Sequence, residues 1–382
     1  MADAPKLPLP NEFVDFLLDN GLDPLIYSMA DSVPRYIRLK PCYEVGLQDL
    51  EGELKCKLEK VWWIPDFLSL PPHIQIAKSK PYQNGQIYGM DAASGAAVLS
   101  LNISAGDNVL DLCAAPGAKL CMILDLLGDS GSLTGVDVAR HRLAACRTMI
   151  QRYVLGDRCR LFVADGTTFS ITPLMVTSDL KPCESALEEK TFKVWKPYRS
   201  WKERKLDKLP RHVQDPELIF YGKNSRVVGL TKSELYSTPH DSEILCCGYD
   251  KVLVDAECTH DGSIRHVQKF EHWGWETLQR RVLNAERTHC LAVLQLRLLT
   301  NGFRLLRAGG SLVYSTCSLT IAQNEDVVKL FLMENTSAEL QEIEAARNWP
   351  CKSGLIPKTL RFDPLTSGTS GLFIAKFTKL VA

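Results

Sequence analysis

No stretch of the chain approaches the roughly 20 apolar residues that a membrane span needs, and the start, Met1-Ala-Asp-Ala-Pro5, has neither the basic segment nor the apolar core of a leader. No membrane association is expected, and with early acidic residues arguing against a transit peptide, the expected location is cytoplasm or nucleus. The chain also lacks net charge. Lys plus Arg equal Asp plus Glu at 45 each, so a nucleic-acid surface has to be a local basic patch. No Cys-x-x-Cys pair occurs among the 13 cysteines, an odd count that suits reduced thiols better than a disulfide framework. Cys258 with His260 has no second pair at ligand spacing, so no metal is expected. Gly-x-Gly-x-x-Gly is absent too, which disfavours a nicotinamide or flavin cofactor.

What is present is a globular chain with 45% hydrophobic residues over 382 positions, enough for one large domain with an extension. Residues 11–30 place apolar side chains at helical spacing, and Pro34 to Pro41 alternates basic and apolar residues like a half-exposed strand. Arg35, Arg38 and Lys40 on that strand are candidates for phosphate contact. Trp62-Trp63 reads as packing rather than base stacking. Residues 1–80 are therefore expected to form a small α/β extension, with Pro71-Pro72 and Pro81 marking the join to a main domain over 81–382.

From Ala92 the pattern is a regular alternation of helices and strands. A helix over Ala92–Leu101, a strand over Asn108–Leu112 and a helix over Lys119–Leu127 open a βαβ unit, with Cys113-Ala-Ala-Pro-Gly117 between the last two. Small residues and one glycine let a ligand approach the backbone at a strand end. Asp137 follows Gly117 by 20 residues (137 minus 117), the interval at which a carboxylate accepts from ribose hydroxyls, so the spacing fits an adenosyl ligand. Asp111, Asp137, Asp165 and Asp255 each close a predicted strand. One such aspartate is ordinarily a cap or turn former, but four in register around one glycine loop suggest a site.

Residues 172–245 interrupt this alternation, being far longer than a 2–6 residue βα connection, and read as an insertion. Lys190 to Arg211 holds nine Lys or Arg interleaved with Trp195, Tyr198 and Trp201, a composition suited to single-stranded nucleic acid or simply to a solvated loop. Beyond it, a helix over Arg287–Leu306 separates the strand ending at Asp255 from the strand Ser311–Tyr314, and Gly309-Gly310 supplies a turn before the second. In a doubly wound sheet such strands are neighbours, so the loops bearing Cys258 and Cys317 should open into one crevice.

Asp111-Leu-Cys-Ala-Ala-Pro-Gly-Ala-Lys119, Asp255-Ala-Glu-Cys258, Tyr314-Ser-Thr-Cys-Ser-Leu319 with Asn324-Glu325, and Arg361-Phe-Asp-Pro-Leu365 with Gly371-Leu-Phe-Ile-Ala375 together resemble the Nol/Nop/Sun family of RNA cytosine-5 methyltransferases. The resemblance spans roughly residues 84–172 and 246–382. It implies a Rossmann-like class I methyltransferase sheet, S-adenosylmethionine as cofactor, and RNA (tRNA or rRNA) as partner. A monomer is expected, with no protein partner indicated. It also implies Cys317 as the nucleophile, Cys258 as the second cysteine that assists release, and Asp255 and Lys119 beside them. Cys113, Ala114, Ala115, Pro116, Gly117, Ala118 and Lys119 would form the cofactor loop, with Asp137 on the ribose, Asp165 near the adenine, and Arg142, Gly166 and Asp255 completing the cofactor set. The segment before residue 81 resembles the RNA-binding extension of such enzymes.

Carbon 5 of cytosine is a poor nucleophile, and addition of a thiolate at carbon 6 makes it enamine-like, which is why a cysteine is needed. Two departures stand out. Glu257 occupies the place of a family proline and would put negative charge beside the Cys258 thiol. Ala118 replaces a second glycine and is tolerable only at negative φ. Two other readings stay open at this point: a non-catalytic RNA-binding or assembly factor on the same fold, and a methyltransferase acting on DNA, protein or small molecules.

Overall fold

The computed structural model describes residues 9–28, 33–41, 46–173, 215–225, 227, 228, 230–236, 244 and 247–381. The basic and aromatic stretch 190–211 lies outside the described residues.

Five parallel strands form the centre of the large sheet: β5 (Asn108–Asp111), β6 (Ser132–Asp137), β7 (Cys159–Val163), β9 (Tyr249–Asp255) and β10 (Leu306–Thr316). They lie in the order β10-β9-β5-β6-β7, so the chain runs outward from β5 one way, then returns to build the other side. The reversal puts a crevice at the carboxyl ends of β5 and β9, where ligands bind in sheets of this kind. Antiparallel β14 (Leu372–Lys379) pairs with β10, and β13 (Leu360–Phe362) pairs with β14. On the opposite edge β8 (Glu217–Tyr221) pairs antiparallel with β7, so part of the expected insertion extends the sheet.

These strands form because their residues are buried on both faces, as parallel sheets require. All six residues of β6 are buried, and Val252, Leu253 and Val254 of β9 are fully so. One core covers each face. Helix α3 (Ala118–Leu127) contributes Leu120, Ile123 and Leu127 to the first, and the long α6 (Ala285–Leu305) contributes Leu298, Leu299 and Phe303 to the second. The strand expected over Ser311–Tyr314 starts earlier, at Leu306, and the pairing with β9 shifts register between Leu306 and Ser311. Gly309, at φ +72, permits that irregularity inside the strand instead of a turn before it.

A second sheet of four antiparallel strands, β1 (Arg35–Leu39), β2 (Glu59–Lys60), β3 (Phe67–Leu70) and β4 (Ile87–Gly89), has the order β2-β3-β1-β4. It takes in residues 87–89, past the boundary expected at 80. Helix α1 (Asn11–Asp19) is not part of its core: Phe13 and Leu17 pack with Ile264, Val267 and Phe270 of α5 (Ile264–Trp273), in the segment between β9 and β10.

The cationic face expected on β1 is spent inside the fold. Arg38 is 2% exposed and paired with Asp125 of α3 at 2.5 Å, Arg35 donates to the Ile74 carbonyl at 2.7 Å, and Lys40 donates to the carbonyl of Tyr153. Tyr36, Ile37 and Arg38 are consecutive buried residues, because one face of β1 meets its own sheet's core and the other meets the large domain. Trp63 packs on Trp349 and Phe362, as expected of a packing residue, while Trp62 is exposed. Among the described residues no helix is long and apolar enough to cross a membrane.

Candidate active site

β9 and β10 are parallel neighbours with Asp255 opposite Ser315, so their carboxyl ends finish side by side. The backbone stitches the two following loops together: Ala256 donates its N–H to the Ser315 carbonyl at 3.0 Å, and Gly262 donates to the Cys317 carbonyl at 2.9 Å. The sulfurs of Cys258 and Cys317 are consequently 3.3 Å apart. Cys317 is half-buried, whereas Cys258 is 1% exposed and lies behind it. Burial, then the hydrogen bond to Cys317, pushes the Cys258 thiol well above the ordinary cysteine range.

A buried polar network holds both loops. Asp261, fully buried, accepts from the Leu319 amide at 2.7 Å and from the Thr259 hydroxyl. The Gln323 amide donates to Thr259 at 2.8 Å and to Thr320 at 3.0 Å, and its carbonyl accepts from the Thr259 N–H at 3.1 Å. Each group is satisfied by a neighbour in the other loop, so the pair of loops is a single rigid unit. Asn324 and Glu325, part of the motif following Cys317, serve that frame as well. Asn324 accepts from Thr316 at 2.6 Å, and Glu325 receives Arg361.

Asp255 accepts from Lys119 at 2.6 Å and from Ser315 at 2.7 Å. Lys119 stands in the first turn of α3, so the loop after β5 and the end of β9 meet in this ion pair. Burial alone would lower the Lys119 pKa, but the charge of Asp255 and its hydrogen bond outweigh it and raise the value. Asp111, deeper in the same acidic group, is pushed up to about 7, by burial first and by the Asp255 charge second.

The loop Cys113–Gly117 crosses the end of β5. Gly117 has φ +111, and a Cβ there would stand 3.1 Å from the backbone of Cys146, so this position needs glycine. Asp137, buried at the end of β6, accepts from the Ala115 amide at 3.2 Å and from Ala139 at 2.8 Å, which leaves each oxygen capacity for a further donor. Arg142 braces the loop from the next helix through the Ala115 carbonyl at 2.9 Å. Ala114 and Ala115 are buried, Pro116 is exposed, and Cys113 is pushed up in pKa by burial and then by Asp111. Asp165, exposed, lines a cleft of about 740 Å³ together with Ala164, Thr168, Asp215 and Tyr236. Gly166, next to Asp165, packs between Leu298 of α6 and the Leu112 carbonyl, and its own carbonyl accepts from Asn301 at 2.7 Å. A glycine-cradled loop, a buried carboxylate with spare acceptor capacity and an adjoining cleft fit an adenosyl ligand.

Of the two departures, Glu257 differs from expectation and Ala118 meets the condition set on it. Glu257 points to Arg287 at 3.7 Å and is half-exposed, so it is burial and Cys317, not the Glu257 charge, that raise the Cys258 thiol. Ala118 opens α3 and is not among the residues with positive φ, so its methyl is tolerated, as the condition on it required.

Sequence reasoning missed His260 as part of this site. Its Nδ1 is 2.8 Å from the Cys317 sulfur and 3.6 Å from that of Cys258. The donor atoms of Cys258, His260 and Cys317 all lie within 4.8 Å of one another, and each is already partnered within the trio. The spacing Cys-x-His was visible in the sequence but was weighed only as a metal pair and set aside; the approach of Cys317 gives it its meaning. Gln323 and Asp261 were missed as well, and nothing in their local sequence distinguishes them.

The chain is similar in sequence and fold to known proteins. The family model described as 16S rRNA methyltransferase RsmB/F matches residues 98–178 and 223–378. Among curated relatives, the bovine (Bos taurus) "5-cytosine rRNA methyltransferase NSUN4" is 29% identical over 259 residues, covering 67% of this chain and 48% of that protein. The mouse (Mus musculus) "28S rRNA (cytosine-C(5))-methyltransferase" is 27% identical over 320 residues, covering 83% of this chain and 52% of the relative. The chain thus spans about half the length of the curated relatives it matches. Among solved structures, NSun6 from Pyrococcus horikoshii with SFG superposes with a TM-score of 0.65 at 16% identity, over 98% of this chain and 99% of that one, which shows a shared fold. The matched stretches contain the cofactor-type loop, both cysteines and the Asp255 strand, and cover more than half of the chain. It belongs to the RsmB/F family of Nol/Nop/Sun RNA cytosine-5 methyltransferases, on a Rossmann-like class I methyltransferase fold.

Proposed function

We propose that the chain transfers a methyl group from S-adenosylmethionine to carbon 5 of a cytosine in RNA, tRNA or rRNA, through a covalent adduct on Cys317. The observation that carries this reading is the pair of sulfurs 3.3 Å apart beside the Lys119–Asp255 ion pair, at the mouth of the crevice. When bound, S-adenosylmethionine would supply an electrophilic methyl on a sulfonium, whose leaving group is a neutral thioether. Gly117 would let it approach the backbone, Asp137 would hold its ribose and Asp165 its adenine.

Cys317 adds to carbon 6, which turns carbon 5 into a nucleophile. Asp255, held by Lys119 and Ser315, faces the base and stabilises its protonated form while charge develops on the ring. Cys258, buried directly behind Cys317, assists loss of the carbon 5 proton and so expulsion of the nucleophile. The target base has to leave its stack to enter such a crevice, which favours loops and unpaired ends of RNA. The small sheet and α1 would serve as the RNA-binding extension. Since Arg35, Arg38 and Lys40 are already occupied, RNA contact there falls to other side chains, among them exposed Trp62.

Two variants test the reading with labelled rRNA or tRNA transcripts on denaturing gels. Cys258→Ala should accumulate a covalent protein–RNA adduct, and Cys317→Ala should form none and lose methyl transfer. Full transfer by Cys317→Ala, or an adduct mapped to residue 258, overturns it.

A further inference from the structure

The nucleophile reading leaves the Cys317 proton without a named acceptor. Asp255 is engaged by Lys119 and Ser315, and Cys258 is itself a buried thiol with a raised pKa. We propose that His260 is that acceptor: its Nδ1, 2.8 Å from the Cys317 sulfur, takes the thiol proton as the sulfur adds to the base, which makes His260 a catalytic residue of this chain. The inference rests on Cys317 being the nucleophile.

Three independent features converge on the imidazole. First, the distance is that of a direct hydrogen bond between a base and the group it deprotonates. Second, His260 has φ +59, the left-handed region, which is unfavourable for a non-glycine residue and at functional sites persists because the surroundings enforce it. The enforcement is visible in the residues that follow it. The Ser263 amide donates to the His260 carbonyl at 3.1 Å, Gly262 is tied to the Cys317 carbonyl, and Asp261 is tied to Leu319. The strained conformation is what turns the ring to the sulfur. Third, the ring is supported from behind by His266, with centroids 4.9 Å apart.

The charges around the ring favour its protonated form. Burial draws the His260 pKa down, but the hydrogen bond with Cys258, followed by the charges of Asp255 and Glu257, outweighs it and leaves the value raised. His266 is held down to about 4, by burial and then by His260, Lys269 and Arg281, so it stands neutral at pH 7 and does not oppose a cation on its neighbour.

The step balances without any further reagent. With its own hydrogen on Nε2, the ring uses the Nδ1 lone pair to take the S–H proton. The S–H electron pair becomes the bond to carbon 6, and the electrons of the C5=C6 double bond move to carbon 5, where the methyl is accepted. In the closing elimination the C5–H electrons restore the double bond and that proton leaves to water. The C6–S pair returns to sulfur, and the imidazolium gives its proton back.

The test reads Cys317 directly, in the full chain without RNA, as its rate of alkylation by iodoacetamide followed by peptide mass spectrometry. His260→Gly suits the backbone, since glycine adopts positive φ without strain, and His260→Asn is a second variant that also tolerates it. An unassisted thiol is only a few per cent thiolate at pH 7, so alkylation of Cys317 in either variant should fall about tenfold at about pH 7 and match the wild type at about pH 9.5. Added imidazole should restore reactivity in His260→Gly and not in His260→Asn, where the side chain fills the site. Methyl transfer should fall roughly 100-fold, the low end of general-base assistance. Alkylation within twofold of wild type at neutral pH in both variants overturns the role of His260, while leaving Cys317 as nucleophile untouched. Retained transfer in Cys317→Ala would instead remove the reading beneath it.

Discussion

Arg361 and Glu325 offer the sharpest test of how the nucleophile loop is held. Glu325 is fully buried at the start of α7 (Glu325–Glu334), and the Arg361 side chain is 14% exposed. The guanidinium donates to both carboxylate oxygens, with Nε at 2.7 Å from Oε1, and its third arm reaches the Leu319 carbonyl at 2.6 Å, two residues beyond Cys317. Arg361→Met removes three donors and leaves a buried carboxylate with the Leu355 amide, at 3.2 Å, as a remaining donor. Breaking one side of a buried pair costs about 3–5 kcal/mol, whereas replacing both sides by apolar residues of similar volume is often neutral. Urea unfolding of Arg361→Met should therefore show a loss of about 3–5 kcal/mol, and Arg361→Met/Glu325→Met should recover most of it. A single variant within about 1 kcal/mol of wild type, the value of an exposed pair, would falsify the argument. So would a double variant whose loss equals the sum of the two singles. Because Leu319 loses its anchor in both variants, methyl transfer should stay low even where stability returns.

Two further outcomes follow from the same kind of reasoning. Asp111, with its pKa raised to about 7 in the fold against an unfolded value near 3.9, binds a proton more tightly when folded, so its contribution to stability is full below about pH 4 and is lost as pH rises to about 7. Asp111→Asn, which keeps an acceptor for the Cys113 amide, should flatten that fall, whose slope is at most about 1.4 kcal/mol per pH unit; an unchanged pH dependence of thermal unfolding would contradict it. Arg38→Met should cost about 3–5 kcal/mol by stranding Asp125 while shifting RNA affinity by less than about 0.5 kcal/mol. A loss of RNA binding without a loss of stability would return β1 to the RNA surface.

The βα alternation and the strand-end aspartates were legible because hydrophobic period and loop chemistry are local properties. Thus the strands ending at Asp111, Asp137 and Asp255 lie where the pattern predicted them. The same locality misled at β1, where alternating Arg and Lys looked like a solvated face. Whether a cation meets solvent, Asp125 or a backbone carbonyl depends on what packs over it, and that is fixed by residues 87 and 113 positions further along the chain. Glu257 shows the limit in the other direction. Adjacency in sequence suggested that its charge acts on Cys258, but successive side chains at a strand end point apart, and Glu257 turns to α6.

By itself the sequence determined which residue types were available and where three of the strands would end: a thiol after β9, a thiol after β10, a glycine loop after β5, carboxylates closing β5, β6 and β9, and Asp165 two residues past β7. Only the tertiary structure decided that the two sulfurs touch, that Lys119 spans to Asp255 and that His260 faces Cys317. Those contacts join residues 57 to 136 positions apart. Their geometry is set by the parallel pairing of β9 with β10, which the alternation of helices and strands foretold, and by one left-handed residue, which no local pattern records.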